Sequence, residues 1–165
     1  MFSGRYSAIL FDWGDTRTRD DPLQNGPMAA WTQVEAVPSV VELLSYLQKT
    51  GAYRLFVATD TAISTPDQVR AALLRVEIAH YFDKIYCTAS VGLQKSSPAF
   101  YAYILEDLRL PAQQVLMVGD SFHNDVLVPN QVGLDAVWHN QHNLEERRAE
   151  RHRTIHQMTR LVDWL

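Results

Sequence analysis

Short apolar runs alternate along the chain with longer stretches in which apolar residues recur every three or four positions. The runs have the size of strands covered on both faces, and the longer stretches carry the period of helices with one covered side. The spacing predicts strands at Ser7–Asp12, Arg54–Thr59, Lys84–Thr88, Gln114–Val118 and Asp135–Trp138. It predicts helices at Ser39–Lys49, with Val40, Val41, Leu43, Leu44 and Leu47 as the apolar stripe, and at Pro66–Val76, Pro98–Leu108 and Asn124–Val132. Strands that alternate with helices in this way build a parallel sheet with crossover helices, so the fold class is α/β.

Punctuation residues agree with those boundaries. Pro66 and Pro98 suit the first turn of a helix, with Thr65 and Ser97 before them as caps. Gly51 and Gly133 follow helical stretches, where a residue with positive φ returns the chain to the next strand. Towards the end, Asn143–Arg153 is charge-rich and reads as a solvated helical turn or loop. RTIHQM then reads as a short edge strand and TRLVDWL as a closing helix. With no repeat, low-complexity tract or linker, residues 1–165 are expected to form one domain.

Composition narrows the function classes. The chain has 165 residues, 47% hydrophobic and 21% charged, which fits a folded globular domain rather than a disordered or coiled-coil one. A net charge of −4 gives no basic footprint for nucleic acid. The single cysteine, Cys87, lies in the apolar run KIYCTA and reads as a buried thiol. No apolar run approaches the roughly 20 residues of a membrane span, so a cytoplasmic setting is the expectation.

Polar residues placed on this frame gather at one edge. Asp12 ends the first strand, Thr59 and Asp60 end the second, Lys95 follows the third, and Asp120, Ser121 and Asp125 follow the fourth. In an open parallel sheet those carboxyl ends share a rim, and ligands bind where the strand order reverses.

FDWGDT, the strand LFVAT ending on Thr59, GLQKSSPAF and VGDSFHND occur in that order, and together they resemble the motifs of the haloacid dehalogenase superfamily of hydrolases. AHYFDKIYC and QVGLDAVWHN resemble the phosphatase branch of that superfamily. The resemblance covers nearly the whole chain. It implies a three-layer α/β/α, Rossmann-like core around a central parallel sheet.

The chemistry of such a site is a carboxylate attack on a phosphoryl group, giving an aspartyl-phosphate that water hydrolyses. Asp12 is the candidate nucleophile. Two like-charged groups meet in that attack, so a hard cation is needed, and carboxylate oxygens are what Mg²⁺ selects. Asp120 supplies one ligand and Asp125 a second. The resemblance adds Asp12 itself and the backbone carbonyl two residues further on, that of Gly14. Thr59 can donate to a phosphoryl oxygen, and Lys95 can offset the charge of phosphate and nucleophile.

Two departures stand out. In phosphatases of the superfamily the residue two after the nucleophile is an Asp that protonates the leaving group and activates water, whereas here it is Gly14. A general acid/base contributes about 10²–10⁴ in rate, so turnover is expected to be weak. Asp15 reads as a turn residue rather than a replacement, and His123 is the other nearby candidate for carrying a proton. The second departure is size. Arg17–Val37 leaves room for a short flap, spanning about residues 13–37, and a small helix at Met28–Val34, but not for a large cap domain. An open site implies a large substrate or a second subunit covering it, with Trp13 and Trp31 read equally as rim aromatics or as packing residues.

The reading is a Mg²⁺-dependent phosphohydrolase acting on a phosphorylated small molecule or macromolecule, with no nucleic-acid or membrane partner and with a homo-oligomer as one way of closing the site. Its rivals are a non-catalytic phosphate- or protein-binding module that keeps the fold, and a hydrolase of the same superfamily that acts on a C–P or C–halogen bond.

Overall fold

The computed structural model describes residues 4–13, 38–61 and 64–165. At its centre is a six-stranded sheet ordered β3-β2-β1-β4-β5-β6, with every neighbouring pair parallel. The strands are β1 (Ala8–Phe11), β2 (Arg54–Thr59), β3 (Lys84–Cys87), β4 (Val115–Gly119), β5 (Asp135–His139) and β6 (His152–Ile155). β1 lies between β2 and β4, and none of its four residues is exposed.

Alternation along these strands divides the core. Ile9, Phe11, Leu55, Val57, Leu116 and Val118 pack on one side, with Leu43, Leu44 and Leu47 of α1 (Pro38–Thr50) and Val69, Ala72 and Leu73 of α2 (Pro66–Arg75). Ala8, Leu10, Phe56, Ala58, Val115 and Met117 pack on the other, with Phe100, Tyr101 and Ile104 of α4 (Pro98–Leu108). Full burial of a large apolar side chain contributes about 1.5–3 kcal/mol. Both faces of the sheet are therefore strongly held, and its rim is a firm support for polar groups.

Helix starts follow the expected chemistry. Thr65 accepts from Gln68 N while the Gln68 side chain accepts from Thr65 N, closing a capping box at α2. Ser97 caps α4 through Ala99 N. Gly51 and Gly133 both have positive φ, at 62° and 90°.

Several expectations need correction. β2 has the expected bounds, the ends of β1, β3, β4 and β5 shift by a residue, and Thr88 opens a short helix, α3 (Thr88–Val91), instead of closing β3. Asn124–Val132 is not one α-helix. A wide π-helical turn at Phe122–Leu127 precedes α5 (Val128–Gln131), with Pro129 second in α5. Proline has no N–H, so it interrupts the backbone ladder that a continuous helix needs. The edge strand begins at His152, one residue before RTIHQM, and TRLVDWL lies in a 3₁₀ helix, Met158–Trp164, with Met158 and Leu161 in the core. Of the two forms expected for the charged stretch the structure has the solvated loop: residues 143–150 are exposed and carry no helix.

The flap, its Met28–Val34 helix and Trp31 lie outside the described residues, apart from Trp13. Trp13 is 7% exposed and belongs to the core beside Phe11, which removes it from the rim. Among the described residues no helix is long and apolar enough to cross a membrane.

Candidate active site

Strand order reverses between β1 and β4, and the two strands are paired in register as far as Phe11 and Val118. The next residues, Asp12 on one strand and Gly119 and Asp120 on the other, therefore emerge side by side at the carboxyl edge. Asp12 N donates to Val118 O at 2.9 Å, which extends the pairing into the site. On the other flank Thr59 ends β2, and its hydroxyl donates to Trp13 O, tying the segment after β1 to β2.

Lys95 is the electrostatic centre. Its side chain is 2% exposed, against the surface position common for lysine. Its Nζ donates to Asp12 Oδ1 at 2.5 Å and to Ala58 O at 2.7 Å, and stands 2.6 Å from Asp125 Oδ1. Burial pulls its pKa down, but the carboxylates of Asp12 and Asp125 more than offset that, so the ammonium is held charged.

Asp125 is buried on the π turn, and its Oδ2 accepts from Ser121 N at 2.9 Å. Oδ1, also buried, is held by the Lys95 ion pair at 2.6 Å and has no hydrogen-bond partner besides it. Burial raises the Asp125 pKa above the usual carboxylate range, with Lys95 opposing and Asp12 reinforcing the rise. Carboxylate oxygens of Asp12, Asp120 and Asp125 lie within 4.8 Å of one another.

Three acids against one ammonium leave excess negative charge. That excess and the all-oxygen donor set fit a hard divalent cation. Asp12, Asp120 and Asp125 are the residues that would hold it. Gly14, whose carbonyl was the fourth expected ligand, and Asp15 lie outside the described residues.

Asp12, Asp120 and Asp125 line a cleft of about 350 Å³ together with Thr59, Asp60, Lys95, Ser121 and Asn124. Asp12, Thr59, Lys95, Asp120 and Asp125, expected from sequence, thus converge on one space. His123 is exposed on the π turn. Sequence reasoning gave no role to Asp60, whose Oδ1 accepts from the Thr88 hydroxyl at 2.7 Å and which faces the cleft. It also missed Trp138, whose indole Nε1 donates to Asp120 O at 2.7 Å, because an aromatic in an apolar strand reads as packing alone.

The chain matches the haloacid dehalogenase-like hydrolase family over residues 14–133. It is 31% identical to a glyceraldehyde 3-phosphate phosphatase of Pyrococcus abyssi over 102 residues, covering 62% of this chain and 41% of that protein. It is 29% identical to a pyrimidine 5'-nucleotidase of Streptococcus pneumoniae over 148 residues, covering 88% of this chain and 60% of that protein. The chain thus spans about half the length of these relatives. An uncharacterised protein of Listeria monocytogenes serotype 4b superposes with a TM-score of 0.77 over 96% of both chains at 19% identity, which shows the shared fold.

Proposed function

From the premise that this chain belongs to the haloacid dehalogenase-like hydrolases, we propose that it hydrolyses phosphate monoesters with Mg²⁺ through an aspartyl-phosphate on Asp12. The observation that carries this reading is the Lys95 ammonium held between Asp12 and Asp125 at the floor of the cleft, 2.5 and 2.6 Å from their oxygens. A lysine so placed holds the Asp12 carboxylate by an ion pair and supplies positive charge where the phosphoryl group must come in.

In this mechanism an Asp12 oxygen attacks phosphorus opposite the ester oxygen, the P–O bond to the leaving group breaks, and the departing oxygen takes up a proton from solvent, which the hydrolytic water later returns. Water then attacks the phosphorus of the acyl phosphate, releasing inorganic phosphate and restoring the carboxylate. Mg²⁺ bound by Asp12, Asp120 and Asp125 would supply the charge neutralisation that lets a carboxylate approach a phosphate dianion. The Thr59 hydroxyl, released from Trp13 O, and Lys95 hold the phosphoryl oxygens as charge shifts between them. The phosphatase and nucleotidase names of the relatives support phosphate esters as the substrate class.

Gly14 favours one rival, a module that binds phosphate without turnover, because it removes the usual proton carrier. The test is a panel of alkyl and aryl phosphates assayed with and without Mg²⁺, combined with trapping of Asp12 by a beryllium fluoride mimic of the phosphoryl group. Mg²⁺-dependent phosphate release that Asp12→Asn abolishes is the expected result. Binding of the mimic without any release favours the module.

A further inference from the structure

The π turn creates a specific backbone problem. Val128 N donates to His123 O, five residues back, so it does not serve Asn124 O as it would in an α-helix. In the π register the donor for Asn124 O would be residue 129, and residue 129 is Pro129, which has no N–H. The carbonyl of the residue just before Asp125 is therefore left without a backbone donor.

A side chain meets it. The Tyr101 hydroxyl, on α4, donates to Asn124 O at 2.6 Å, and the Tyr101 side chain is fully buried. Burial raises the Tyr101 pKa well above its ordinary value and so keeps the phenol in its neutral, donating form. At the other end of the same turn Trp138 Nε1 donates to Asp120 O at 2.7 Å, with the indole edge-on to Phe122 at 5.0 Å between ring centres. Inside the turn Ser121 Oγ accepts from Asn124 N and Ser121 O accepts from Asp125 N, while the Asp125 carboxylate also meets Lys95 from outside it.

We infer that Tyr101 and Trp138 are positioning residues that clamp the Asp120–Asp125 turn in its π register and so aim both acids at one cation. This rests on the cation reading above. Without the Tyr101 hydroxyl, Asn124 O regains a donor, Val128 N, by shifting to the α register, and Pro129 then leaves Asp125 O without one instead. That shift turns Asp125 away from Asp12 and Asp120. A register choice is a discrete alternative, so losing one hydroxyl changes where Asp125 points rather than merely loosening it.

The test is Mg²⁺ binding by calorimetry on the full chain, without substrate, for the parent, Tyr101→Phe, Trp138→Phe and Tyr103→Phe. Tyr103 is on the same helix, 41% exposed, and serves as the control. Loss of a group that orients metal ligands costs about 10–100-fold in metal affinity. We expect at least tenfold weaker Mg²⁺ binding in Tyr101→Phe and Trp138→Phe and parental binding in Tyr103→Phe. Parental affinity in a folded Tyr101→Phe overturns the assignment even if its melting temperature falls, because a merely structural hydroxyl changes stability alone. Should Tyr101→Phe fail to fold, Trp138→Phe decides by the same criterion. If the parent itself binds no Mg²⁺, the cation reading falls and this inference with it; if the parent binds and the variants match it, the inference alone falls.

Discussion

Gly119 lies directly beneath Asp125: a Cβ built on Gly119 would stand 2.7 Å from the Asp125 Cβ and closer still to its carboxyl. Gly119 is not required here for a positive φ but for space, because the buried side chain of Asp125 folds back over β4 to reach Ser121 N. The glycine of VGDSFHND thus has the same purpose as its acids. It lets a buried carboxylate approach the strand end that carries Asp120.

Gly119→Ala should therefore displace Asp125. Overpacking of this kind costs about 1–3 kcal/mol, and the displaced acid should remove most of the stabilisation by Mg²⁺. Thermal melts with and without the ion check both effects. A folded variant that keeps the parental Mg²⁺ shift would show that Asp125 does not serve the cation.

Lys95→Met should destabilise the protein in the absence of Mg²⁺ by about 3–5 kcal/mol, the range for removing one partner of a buried ion pair. It leaves Asp12 and Asp125 facing each other, and Asp125 is already raised by burial. A carboxyl whose pKa is higher folded than unfolded costs nothing below its ordinary value near 4 and costs progressively more as pH rises towards its folded value. The loss should therefore be larger at pH 7.5 than at pH 4.5. Denaturant melts at the two values provide the check, and a pH-independent loss would contradict it.

At the opposite end of the sheet Asp135 gathers the N-terminal segment. It meets Arg5 at 2.6 Å, the Tyr6 hydroxyl at 2.9 Å and Arg151 at 3.5 Å. Burial first, then the bond to Asp135, pushes the Tyr6 pKa up to about 12. The neutral phenol is the bonded form. Its contribution to stability is complete below the unfolded value near 10 and is lost as pH rises from there to about 12. Tyr6→Phe should be less stable than the parent at pH 8, with the gap closing at alkaline pH. Its Mg²⁺ affinity should be unchanged, because the latch is remote from the cleft.

How much of this was legible depends on the range of the interaction. Asp12, Thr59, Lys95, Asp120 and Asp125 could be placed together because each follows a strand end, and a parallel sheet brings its carboxyl ends to one rim whatever the helices do between them. The Tyr6–Asp135 bond joins residues 129 apart, and no local pattern marks either partner. Burial of Lys95 was hidden for the same reason: its partners, Asp12, Ala58 and Asp125, come from three other segments. The π turn had its cue in Pro129, five residues after Asn124, but apolar spacing alone does not separate a π turn from an α-helix over so short a stretch. Trp13 stayed open between rim and core because a single aromatic beside a polar turn carries no periodicity by which to judge its side.

The remaining prediction concerns the missing acid. Gly14→Asp should raise hydrolysis of alkyl phosphates while changing aryl phosphates little, because a poor leaving group needs a proton in the transition state and an activated one leaves without it. The gain should fall short of the full effect of a general acid, about 10²–10⁴, since Asp15 next door opposes ionisation of a new carboxylate. kcat/KM for both ester types in parent and variant gives the comparison as a difference in transition-state stabilisation. A variant that folds, binds Mg²⁺ and shows no gain on alkyl esters would mean that proton transfer is not what limits the site. The phosphate-binding module would then be the better description, with Lys95 and its acids kept for capture rather than for turnover.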